Sequence, residues 1–272
     1  MTDWKAFEVE SKDHVATVTL TGPGKGNAMG PDFWRELPLI FGELDADPEV
    51  RAVVLAGSGK HFSYGLDLPA MAPVFGPLLG GALAGPRTDF LKQVRSMQDS
   101  VTAVAACTKP VIAAVQGWCI GGGLDLIAAA DIRLASADAK FSLREAKVAI
   151  VADIGSLHRL PGIIGEGHLR ELAYTAKDID AARAEKIGLV NDVFEDQDAV
   201  LAAAHAMARE IADNPPLVVQ GIKDVLEQPK VGKVADGLRY VSAWNSAFLP
   251  SEDLTEAIQA VFEKRAPRFQ GK

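Results

Sequence analysis

Three carboxylates and a run of glycines are the residues of this sequence best suited to chemistry. Gly121-Gly122-Gly123 lies between an apolar, strand-like segment, Pro110 to Val115, and the alanine-rich run Leu124 to Ala130, so it reads as a turn feeding a helix N-terminus. Without Cβ atoms a ligand can come close to the backbone. The free N–H groups of a helix start stabilise negative charge, and an oxygen that becomes anionic during a reaction gains most. Asp125, Glu145 and Asp153 follow in the apolar settings GLDLIAAA, LREAKVAI and IVADIGSL. Burial there raises a carboxyl pKa and permits proton transfer near neutral pH. An oxyanion site beside several acids suits carbanion or enolate chemistry. Each feature alone also has a plainer use. A Gly-rich turn packs tightly, Asp125 suits the positive end of the helix it enters, and Glu145 fits the exposed face of an amphipathic segment.

The elements that would position these groups follow from periodicity. Phe7 to Leu20 alternates as a hairpin turning near Lys12-Asp13, and the Gly-rich loop Thr21 to Met29 leads into a helix from Pro31 to Leu44. Arg51 to Ala56 and Val111 to Val115 read as strands buried on both faces, with shorter strands at Ile132 to Ala135 and Lys140 to Ser142. Ala72 to Thr88, rich in Gly and Pro, reads as a mobile segment whose Val74, Phe75, Leu78, Leu79 and Leu83 suit an acyl tail. Helices are expected at Asp89 to Cys107, Gly167 to Thr175, Ala181 to Lys186, Asp198 to Asp213, Pro216 to Glu227, Leu238 to Phe248 and Ser251 to Lys264, the last opened by the cap signal Ser251-Glu252-Asp253.

A length of 272 residues with 48% hydrophobic and 24% charged residues suits one large α/β domain with an appendage. The net charge of -8, with no long Lys/Arg cluster, argues against a nucleic-acid partner. Cys107 and Cys119 form no disulfide framework, and no His/Cys spacing suggests a metal site. With no apolar signal core in MTDWKAFEVE, no membrane-length apolar run and no peroxisomal address in FQGK, the expectation is a cytoplasmic protein.

The run KPVIAAVQGWCIGGGLDLIAAADIRLASADAKFSLREAKVAIVADIGSLHRLPGIIG closely resembles the crotonase superfamily of coenzyme A thioester enzymes, and the likeness extends from TLTGPGKGNAM to EKRAPRF. It implies a spiral of β-β-α units spanning residues 1–195, holding the CoA and acyl sites, and a helical region, residues 196–272, that closes the CoA site and builds a homotrimer or a dimer of trimers. HFSYGLDLPAM resembles the family's F-x-x-G-x-D-[IL] turn. The resemblance thereby assigns the two oxyanion donors to the N–H groups of Leu66 and Gly122. It assigns substrate contacts to Lys25, Asn27 and Ala28, to Ser63, Tyr64, Gly65, Asp67 and Leu68, and to Gly121.

Crotonase-like hydratases carry glutamates at positions 125 and 145. The Asp at 125, the further acid Asp153 and the segment YVSAWN, Tyr240 to Asn245, instead resemble the Δ3,5-Δ2,4-dienoyl-CoA isomerases of fatty-acid β-oxidation. That resemblance implies Glu145 as the C2 base, Asp153 as the acid at the far carbon and Asp125 as a group tuning both. It implies an acyl-CoA substrate and no separate cofactor. Hydration of 2-enoyl-CoA is the alternative, in which Asp153 is structural and pairs with Arg159 or His158; a non-catalytic acyl-CoA- or RNA-binding role is a third. Trp244 and Phe248 are expected to be largely buried by packing of the helical tail.

Overall fold

The computed structural model describes residues 4–22, 25–79 and 83–271, with the side chains of residues 78 and 79 excepted. Strand β1 (Phe7–Lys12) turns into β2 (Val15–Leu20) through Asp13 and His14, both at positive φ as a two-residue hairpin turn of this hand needs. Helix α1 (Pro31–Ala46) starts on a first-turn proline and leads to β3 (Ala52–Gly57). Helices α2 (Leu68–Leu79) and α3 (Ala84–Ala106) precede β4 (Val111–Val115), β5 (Trp118–Ile120), α4 (Gly122–Ala128), β6 (Ile132–Ser136) and β7 (Lys140–Ser142). A 3-10 turn at Glu145–Val148 leads to α5 (Ser156–Arg159), α6 (Pro161–Thr175), β8 (Ile179–Asp180), α7 (Ala181–Lys186) and β9 (Asp192–Phe194). The chain ends in α8 (Gln197–Ala212), α9 (Pro216–Phe248) and α10 (Glu252–Glu263).

The main sheet runs β1-β2-β3-β4-β6-β9, parallel except for the first pair, and a small sheet runs β5-β7-β8. All residues of β3 and β4 are buried because both faces are covered. Val53, Leu55, Val111 and Ala113 join the core under α1 and α3; Ala52, Val54, Ile112 and Ala114 face the α8 stripe Val200, Ala204, Ala208 and Ala212. That stripe repeats every fourth residue, which places one apolar face of the helix on the sheet. The expected division at residues 195 and 196 thus falls between β9 and a helix that covers the sheet.

Two expectations need correction. The segment from Ala72 to Thr88 is mostly helical, in α2 and the start of α3, despite Pro73 and Pro77 within α2. Phe75 packs edge-on against Phe90 at 6.0 Å, a contact that helps offset the hydrogen bonds the prolines forgo. The expected acyl-pocket contributions of the Leu78 and Leu79 side chains, and Gly80 and Gly81, lie outside the described residues. The two helices expected between Pro216 and Phe248 are one, α9, passing through Pro229. Along its second half Leu238, Val241, Ser242 and Asn245 are buried, whereas Trp244 and Phe248 are 43% and 61% exposed and stack on one another at 4.6 Å. Within a single chain the tail therefore does not bury these two aromatics.

Candidate active site

Strand pairing brings two glycine turns together. β5 lies alongside β7, with Ile120 opposite Ser142, so the Gly121 N–H donates to the Ser142 carbonyl and the chain emerging from β7 passes the glycine turn three residues later, at Glu145. On the other side Ser63 N donates to Trp118 O and Ile120 N to Ser63 O, while Met29 N donates to Gly65 O and Asp67 N to Met29 O. These bonds press the Gly65 turn onto the start of α4. Gly65 adopts φ +76°, and a Cβ there would lie 2.7 Å from the Ile120 carbonyl oxygen and 2.9 Å from the Gly122 nitrogen. A Cβ on Gly122 would in turn lie 3.7 Å from the Leu66 nitrogen. Among the described residues neither the Leu66 nor the Gly122 N–H donates to a carbonyl of a turn, loop or neighbouring element. Two uncommitted donors therefore sit side by side beneath the end of β5.

The three acids gather around this pair. Asp125, 1% exposed, accepts the Ser156 N–H on Oδ1 at 2.6 Å. Burial raises its pKa, and the Ser156 bonds and the charge of Arg159 oppose the rise. Glu145 opens the 3-10 turn that ends at Ala149 in the left-handed region. A Cβ on Gly121 would be 3.4 Å from its Oε1. The residue as a whole keeps some exposure, yet its Oε2 is buried and without a hydrogen-bond partner. Desolvation, then repulsion from Asp125 and Asp153, pushes this carboxyl up to about 8. Asp153 is likewise pushed up to about 7 by desolvation and by Asp125, against a hydrogen bond that Asn245 donates to its Oδ2 at 2.6 Å. The site thus holds two carboxyls that titrate near neutrality beside two free amide donors, equipment suited to moving protons on a carbon acid whose charge collects on an oxygen.

Residues 10–272 match the family described as enoyl-CoA hydratase/isomerase. The chain belongs to that family. A mitochondrial Δ3,5-Δ2,4-dienoyl-CoA isomerase of Dictyostelium discoideum is 43% identical over 99% of this chain and 93% of its own length. A peroxisomal one of Arabidopsis thaliana is 41% identical over 99% of this chain and 98% of its own. The crystal structure of an enoyl-CoA hydratase/isomerase from Pseudoalteromonas atlantica T6c superposes with a TM-score of 0.84 at 26% identity, covering 98% of this chain and 100% of that one. The mitochondrial and peroxisomal relatives overturn the expectation of a cytoplasmic address.

The expected substrate-contact residues divide by what their side chains already do. Asn27, at φ +51°, spends its amide on the carbonyls of Ser58, His61 and Phe62 and accepts from Ser58 Oγ, so it ties two loops together. Ser63 Oγ donates to Asn27 O and accepts from Gly65 N. Asp67 Oδ1 caps the Ala70 N–H, and Leu68 opens α2. Tyr64 lies over Gly26 and against His61, whereas Lys25 is exposed and Ala28 partly so. Arg159 and His158 do not pair with Asp153. Arg159 reaches Ile154 O and Thr102 Oγ1 above Gly155, and the His158 ring fills the space beside Gly237. The acid's partners are Asn245 and, through its carbonyl, Gln98. Periodicity gave no sign of Gln98, which lies 55 residues from Asp153. Asn245 stood within YVSAWN, and an amide side chain at helical spacing from Leu238 and Val241 is the signal that could have marked it.

Proposed function

We propose that this chain is a Δ3,5-Δ2,4-dienoyl-CoA isomerase acting in fatty-acid β-oxidation. The observation that carries the reading is the pair of carboxyls, Glu145 and Asp153, both raised close to neutrality in one site, together with relatives of that name at about 40% identity across the whole chain. The thioester oxygen accepts from the Leu66 and Gly122 N–H groups. Glu145 takes a proton from C2, the C2–H pair forms the C2=C3 bond, and the C3=C4 pair moves to C4=C5. The electrons of the former C5=C6 bond take a proton from Asp153 at C6. Negative charge passes through the thioester oxygen of the dienolate, where each amide donor contributes on the order of 3 kcal/mol to lowering the barrier. No cofactor is required, since the thioester itself is the electron sink and coenzyme A belongs to the substrate.

Each turnover leaves the proton on Glu145 and the charge on Asp153. Burial and mutual repulsion hold both carboxyls near neutrality, so the proton can return from Glu145 to Asp153 between turnovers without a large change in affinity. Asp125 raises both acids by its charge while its own Oδ1 stays committed to Ser156. That commitment speaks against the hydratase reading, in which residue 125 shares the handling of water with Glu145. The exposed apolar side chains of α9 and α10, among them Tyr240, Trp244, Phe248 and Phe262, support assembly as a trimer or a dimer of trimers.

The test is turnover of parallel 3,5-dienoyl-CoA and 2-enoyl-CoA series by purified protein, followed by absorbance. Formation of the conjugated 2,4-diene without loss of the 2-enoyl chromophore is expected. Efficient hydration with dienes untouched would replace this reading with the hydratase one, and no change in either series would leave a binding protein.

A further inference from the structure

Asn245 lies on the inward face of α9, 1% exposed, next to the surface residue Trp244. Its Nδ2 donates twice, to the Val151 carbonyl at 2.9 Å and to Asp153 Oδ2 at 2.6 Å. A carbonyl oxygen can only accept, so Val151 fixes which way the amide faces; turned over, Oδ1 would meet that carbonyl with no hydrogen between them. Asp153 therefore always meets a donor at Oδ2. An oxygen that receives an N–H bond along that line is not the one that holds the acidic proton, and the proton of the neutral acid is left to Oδ1. The same helix is fastened to the Asp153 loop a second time, since Gln98 Nε2 donates to Asp153 O at 2.7 Å, to Ser242 Oγ at 2.8 Å and to Leu238 O at 3.2 Å. Among the described residues no cation hydrogen-bonds the Asp153 carboxyl. Arg159, which could have done so, is spent on Ile154 and Thr102.

We propose that Asn245 is a positioning residue for the reprotonation step, keeping the transferable proton of Asp153 on Oδ1 and receiving the charge on Oδ2 as that proton leaves. The inference rests on the isomerase reading and adds to it that α9, which carries exposed Tyr240, Trp244 and Phe248 on its outside, forms the mount of the acid on its inner face. Hydrogen bonds to a charged acceptor are roughly twice as strong as neutral ones, so the Asn245 bond strengthens as Asp153 ionises, in the step that protonates C6. Its loss should slow that step and leave proton removal at C2 alone.

The experiment compares wild type with Asn245→Ala, which removes both donors, and Asn245→Ser, which keeps one, on 3,5-dienoyl-CoA. Three quantities are read: kcat, KM and the rate of C2 proton exchange with deuterated solvent. In variants whose circular dichroism matches wild type, kcat should fall about 10- to 100-fold for Ala and less for Ser, a part of the roughly 100- to 10,000-fold that the proton-transfer group itself contributes. KM should stay within about twofold and C2 exchange within about threefold. Should Ala fail to fold, Ser carries the same comparison. A kcat within twofold of wild type, or exchange falling in step with kcat, would overturn the proposal. A wild type that leaves dienes unchanged would instead remove the isomerase reading on which it stands.

Discussion

Gly65 and Gly122 face each other so closely that a Cβ on the first would lie 2.9 Å from the amide nitrogen of the second. The same Cβ would meet the Ile120 carbonyl oxygen at 2.7 Å, at a φ of +76° that L side chains rarely adopt. Both neighbours are backbone, so neither can swing aside. Gly65→Ala should therefore spread the two donor turns apart and cut kcat/KM by about 100-fold or more, as loss of an oxyanion donor does, with about 1–3 kcal/mol of stability lost to backbone strain. Steady-state kinetics and a urea titration on the same preparation check both numbers. Full activity would show that these two amides do not hold the thioester oxygen.

The pH dependence has a distinctive form. In the proposed mechanism Glu145, pushed up to about 8, must be ionised, so the rate rises with pH towards that value; Asp153, pushed up to about 7, must be protonated, so the rate falls as pH passes it. With the acid below the base, the profile of kcat/KM should be a narrow bell centred midway, at about pH 7.5. A broad plateau from pH 6 to 9 would contradict these roles.

Glu145→Gln should abolish isomerisation and leave binding of a CoA ester nearly intact, because the amide keeps the shape and loses the base. It should also stabilise the fold, increasingly so as pH rises. The native pKa of about 8 lies above the unfolded value near 4.5, so between these values the native state binds more protons than the unfolded state, and stability falls with rising pH. Removing the carboxyl removes that loss. The gain over wild type should be larger at pH 9 than at pH 6, by about 1–3 kcal/mol once the partial exposure of the residue is allowed for. Equal effects at both pH values would show that Glu145 titrates in its ordinary range.

The aromatic stripe of α9 predicts its own test. Light scattering at micromolar concentration should give three or six times the chain mass, and Trp244→Asp should lower it, because Trp244 and Phe248 have no cover within the chain. A monomeric wild type would refute the assembly.

How much was legible in the sequence depended on how local the cause was. The buried strand at 111–115, the short strand at 140–142 and helix α7 fall where the local sequence pattern puts them, since those signals act within a few residues. The Gly and Pro content of 72–88 suggests a mobile segment where α2 and the start of α3 are helical, and α9 runs unbroken through Pro229 where the sequence suggests two helices. A proline forgoes one bond and crowds one carbonyl, a cost that tertiary packing outweighs here. Within the site, the three acids stood out because carboxyls amid apolar residues are unusual. Their partners did not, since Asn245 and Asp153 are 92 residues apart and meet through the packing of α9 against α3, where Gln98 bonds both Leu238 and Asp153. Trp244 and Phe248, expected to be covered by packing of the helical tail, are exposed on the single chain because apolar character alone does not say which face of a long helix meets its own chain.

The division of labour between the two acids is tested most directly by Asp153→Asn assayed on 3,5-dienoyl-CoA in deuterated solvent. The variant should form no 2,4-diene while Glu145 continues to exchange the C2 proton, detected as deuterium in recovered substrate. Undiminished 2,4-diene formation, or loss of C2 exchange together with turnover in a folded protein, would contradict the assignment of Glu145 to C2 and Asp153 to the far carbon.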